Sequence, residues 1–127
     1  PAAPFHLQVP AECLLAGRGT PEVLEEWNRF LGPDDRLLGW GPFAWDLLAR
    51  EGWRPASRPI DLRLVAAHRL KRRPGRADAA ARALGAPLDD QPPAPGRAGL
   101  SLLSLAAITG SLLAEKRQAM NASAGQA

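Results

Sequence analysis

Residues Arg36 to Trp53, RLLGWGPFAWDLLAREGW, set an extended run directly against a helix-forming run, with only a Gly-Pro pair between them. That junction restricts the chain to folds in which a strand hands over at once to a helix packed behind it. Arg36 to Trp40 is short and apolar, bounded by Pro33-Asp34-Asp35 and by Gly41-Pro42, which predicts a buried strand. Pro42 suits a first helical turn, Phe43 with Leu47 and Ala44 with Leu48 recur four apart, and Gly52 stands where a left-handed residue ends a helix. Asp46 falls in the first turn of that helix.

The flanking segments extend the pattern. Phe5, Leu7 and Val9 alternate with polar residues before Pro10, which predicts an edge strand, and Glu12 to Gly19 reads as a connection. Thr20 is a good N-cap, Pro21 fits the first helical position, and Val23, Leu24, Trp27, Phe30 and Leu31 form one stripe that Gly32-Pro33 ends. A short strand around Ile60 is expected to pass into a helix from Leu62. A small helix is expected over Ala77 to Leu84, capped by Gly85. The proline-rich stretch 89–96 is a connector, 97–120 a C-terminal helix that Gly110 weakens, and 121–127 a small polar tail expected to fray. Residues 1–88 then form one α/β core, a small mixed sheet flanked by helices, onto which the last helix packs.

Charge is distributed unevenly along the chain. The net charge is +3, but residues 1–53 carry four arginines against eight carboxylates, whereas residues 54–82 carry nine cations against Asp61 and Asp78. Such a basic block favours a polyanion or an acidic partner. Arginine richness alone argues little, because an Ala-, Arg- and Pro-rich vocabulary with no tyrosine is what a GC-rich, bacterial-type genome produces. Cys13 is the only cysteine, which excludes an internal disulfide and points to a reducing, cytoplasmic setting. No apolar run is expected to reach the length of a membrane span, so no membrane partner is expected.

The runs TPEVLEEWNRFL, DRLLGWGPFAWDLL, RPIDLRLVAAHRL and GRADAAARALGAP, over roughly residues 5–88, together resemble the latter part of a 3'-5' exonuclease domain of the DEDD group. The resemblance implies a ribonuclease H-like fold lacking its opening strands. In that family a strand ends in a "his-asn-x-x-phe-asp" motif whose Asp ligates metal. Trp40 to Asp46 occupy those places, so Asp46 matches the ligand. The first Asp-x-Glu motif has no counterpart, and the helix that would carry the last His or Tyr and Asp reads GRAGLSLLSLAAITG. Three of four expected carboxylates are absent, and two-metal hydrolysis needs several. The implied protein is a degenerate, non-catalytic exonuclease-like domain, a pseudoenzyme within a larger nucleic-acid-processing protein, that requires no cofactor.

Within this frame Arg69, Lys71, Arg72, Arg73 and Arg76 are the candidate nucleic-acid contacts, since arginines fork onto phosphates and gain from counterion release. A solvated face accounts for the same run equally well. Trp45 becomes a candidate for base stacking if it points away from Phe43 and Leu47, while Trp27 and Trp40 are expected in the core. Asp46 is more simply a first-turn acid favouring its helix dipole, and Asp61, beside Arg58 and Arg63, an ion-paired or capping residue. His6 and His68 have no acidic or cysteine partner at useful spacing. Two alternatives stay open: a docking or oligomerisation module using the last helix, and a magnesium-dependent exonuclease completed by residues outside this chain.

Overall fold

The computed structural model describes residues 3–88 and 94–125. Among them the chain is mostly helical: α1 (Ala3–Leu7), α2 (Ala11–Leu15), α3 (Thr20–Phe30), β1 (Leu38–Gly39), α4 (Phe43–Arg50), β2 (Ile60–Asp61), α5 (Leu62–Leu70), α6 (Ala77–Ala83) and α7 (Gly96–Ala124). The expected α/β, ribonuclease H-like layer is therefore corrected. Its sheet reduces to two parallel two-residue strands, with Leu38 opposite Ile60 and Gly39 opposite Asp61.

The reasons are local. Pro59, which has no N–H to donate, precedes β2 and α5 begins immediately after it, while Gly41-Pro42 closes β1, so neither strand has room to lengthen. The alternation at Phe5, Leu7 and Val9 reflects no buried face, since Phe5 is 83% exposed. Without a neighbouring strand to take its N–H and C=O groups, that segment closes its hydrogen bonds within a helix instead. The connection expected from Glu12 to Gly19 likewise contains the one-turn α2. What survives is a minimal strand-helix-strand crossover, β1–α4–β2, as a parallel pair requires.

The chain divides into two compact units, one ending at Val65 and the other beginning at Ala66. In the first, Trp53 is buried and meets the edge of Trp27 at 6.1 Å. Its backbone N–H donates to Leu48 O at 3.0 Å and its indole N–H to Asn28 Oδ1 at 2.7 Å. Trp27 and Trp40, expected in the core, are half-buried. The Trp27 indole N–H is buried without a partner among the described residues, at a cost of about 1–3 kcal/mol.

In the second unit α6 packs on α7. The buried residues there are small: Ala77, Ala80 and Ala81 on α6, and Gly99, Ser104 and Ile108 on α7. The spacing 77, 80, 81 is one helix face. Small side chains let two helix axes approach closely. Ser104 Oγ returns its hydrogen to Leu100 O at 2.7 Å, which satisfies a hydroxyl with no access to water. α7 passes through Gly110 unbroken and continues beyond the expected end at 120 as far as Ala124. It is long and apolar enough, by length and composition, to cross a membrane, which corrects the expectation that no run would be. Of the expected connector, residues 89–93 lie outside the described residues, as do 126–127 of the tail.

Candidate nucleic-acid interface

α5 ends at Leu70, and Lys71 takes a left-handed conformation, φ 53°, that turns the chain out of the helix. A non-glycine residue is uncommon in that conformation. Pro74 is buried and Gly75 is also left-handed, φ 68°, before Arg76 stands in extended conformation at the N-cap of α6. The link from Lys71 to Arg76 is thus anchored in its middle, with its cationic side chains exposed.

The five cations singled out from the sequence divide into two groups. Arg69 is paired with Glu115 of α7, and Arg76 donates to Asp78 Oδ1 at 3.0 Å, while Arg82 reaches Asp78 Oδ2 at 3.1 Å. Burial acts to raise the Asp78 carboxyl, but the hydrogen bonds from Arg76 and Arg82 outweigh it, and the group lies below its ordinary value. Lys71, Arg72 and Arg73 form no ion pair among the described residues, leaving three uncommitted charges on consecutive residues. The structure adds a residue that sequence proximity missed. Lys116 lines, with Arg69 and Glu115, an open hollow of about 320 Å³. The pair Lys116-Arg117 was its only signal in the sequence, and forty-odd intervening residues concealed the connection to Arg69.

Trp45, Asp46 and Asp61 belong to the first unit. Trp45 is half-buried, and its ring lies so close to Gly39 that an added Cβ would stand 2.7 Å from Cζ2. Phe43 at 77% and Leu47 at 49% are the exposed side of α4, so the helix turns inward by the face opposite to them. Asp46 is exposed in the first turn. Asp61 caps α5: its Oδ1 accepts from Arg63 N–H at 2.9 Å and from Gly41 N–H at 3.0 Å. Among the described residues no three His, Cys, Asp or Glu side chains gather as a metal site. Asp46 alone does not fit the two-metal arrangement that the exonuclease resemblance implies.

No family model matches the chain, and no curated protein and no solved structure matches it either.

Proposed function

We propose that this chain binds nucleic acid without acting on it chemically, through Lys71, Arg72 and Arg73, with Lys116 and the paired Arg69 and Arg76 at the margin. The observation that carries the reading is the set of three exposed, uncommitted cations on an anchored turn. Cations already held by carboxylates must break those pairs to bind phosphate; these need not. Two adjacent guanidinium groups can each fork onto a phosphate, and the contact is read through charge with little dependence on base sequence.

The test is fluorescence anisotropy with labelled single- and double-stranded oligonucleotides over a salt series, in chelator. Binding should weaken as salt rises, with a log–log slope of about −2 to −4 for three or four neutralised phosphates, the steeper values on duplex. An R72A/R73A double variant should reduce that slope by about 2. Absence of binding at low salt, or a double variant indistinguishable from the parent, would remove the reading.

The exposed Leu102, Leu113 and Met120 of α7 favour a second reading, docking on another protein or a second copy of this chain. Size-exclusion chromatography with light scattering tests it: a concentration-dependent mass above 13.6 kDa supports association, and a constant monomer mass removes self-docking.

A further inference from the structure

The first unit contains a hollow of about 450 Å³ lined by Gly41, Pro42, Trp45, Arg58, Asp61 and Leu64, among others. Three of these side chains have capacity to spare. The Trp45 ring is fixed by its contact with Gly39, a position where any side chain would collide with the indole, and its N–H makes no hydrogen bond among the described residues. Asp61 is fixed through Oδ1 by the two backbone N–H groups it accepts, which leaves Oδ2 to receive a further donor. Arg58 is exposed and forms no ion pair among the described residues, so its guanidinium is available to an anion. A held aromatic ring, a held carboxylate oxygen and a free guanidinium around one hollow suit a ligand that is planar at one end, carries an N–H donor on that plane, and is anionic at the other.

We infer that this hollow binds a single nucleotide, with the base against Trp45, an exocyclic amino group donating to Asp61, and the phosphate on Arg58. Its volume falls within the range of small-molecule sites, about 300–1,000 Å³. Base–aromatic stacking tolerates any base, and the carboxylate adds the selectivity. Adenine, cytosine and guanine each present an amino group, whereas the uracil imino N–H is flanked by two carbonyl oxygens that face the carboxylate unfavourably. The inference rests on the nucleic-acid reading for the chemical class of its ligand and on none of the residues of the basic turn.

Titration of the whole chain with adenosine 5'-monophosphate, uridine 5'-monophosphate and ribose 5-phosphate, followed by tryptophan fluorescence and calorimetry, tests it. The adenine nucleotide should saturate with a Kd of about 1 mM or tighter and quench the fluorescence. Arg58→Gln, at an exposed position, should weaken it about tenfold. Trp45→Phe should abolish the quench while the other three tryptophans still report a folded chain. Ribose 5-phosphate binding as tightly as the nucleotide, equal binding of the uridine nucleotide, no saturation up to about 10 mM, or no effect of either variant would each overturn the inference. The R72A/R73A variant separates the two proposals, because it should lose oligonucleotide and keep mononucleotide. Mononucleotide failure with intact oligonucleotide binding removes the hollow and leaves the basic turn standing.

Discussion

Asp61 joins two pieces of backbone, the turn after β1 and the first turn of α5, by accepting from Gly41 and Arg63. Asp61→Ala leaves the part-buried Gly41 N–H short of a partner and gives the exposed Arg63 N–H over to water, and the expected loss is about 1–3 kcal/mol in urea unfolding. Asp61→Asn retains an acceptor oxygen and should lose less; equal losses would show that the brace acts otherwise than by accepting. Asp78 works by charge. Its folded pKa lies below its unfolded value of about 3.9, so its contribution is fully present above that pH and fades as pH falls through the folded value. Asp78→Asn should therefore lower the urea midpoint at pH 7, with the difference from the parent shrinking below about pH 4. A difference that stays constant down to pH 2 would place the effect in helix capping and not in the arginine contacts.

At the scale of elements, periodicity located the helices better than it located their faces. α3, α4 and α6 begin and end within a residue or two of where proline, glycine and the four-apart spacing put them, and α5 begins at the expected Leu62. The orientation of α4 did not follow from the four-apart apolar pairs, because the side marked as polar by Asp46 and Arg50 also carries Phe43 and Leu47, and all four of these residues lie exposed. Which apolar side goes inward is decided by Gly39, the one place on β1 where an indole can lie against the backbone. α7 illustrates the converse. Its glycine at 110 was expected to weaken the helix, yet the helix continues, and a methyl group there would meet nothing within 4 Å. Gly110→Ala should raise stability by about 0.5–1 kcal/mol, read as a shift in the urea midpoint by circular dichroism, and a lowered midpoint would indicate that the position is covered.

The molecule as a whole comprises two compact units that meet their core requirements differently. The first relies on Trp53 against Trp27, the second on alanines with Ile108 and Ser104. Ile108 is fully buried, and Ile108→Ala should cost about 2–5 kcal/mol. All four tryptophans lie in the first unit, so fluorescence reports that unit and circular dichroism is dominated by the helices of both. Ile108→Ala is expected to move the circular dichroism midpoint further than the fluorescence midpoint; identical shifts would mean that the two units unfold as one. The amino-acid order determined the breaks, the four central helices, the basic block and the cap at Asp61, because each depends on neighbours a few residues away. It did not determine the sheet, the inward face of α4, the pairing of Arg69 with Glu115 or the hollow around Trp45. Those follow from strand partners, close backbone approaches and ion pairs between residues distant in the chain, and such contacts exist only once the chain has folded.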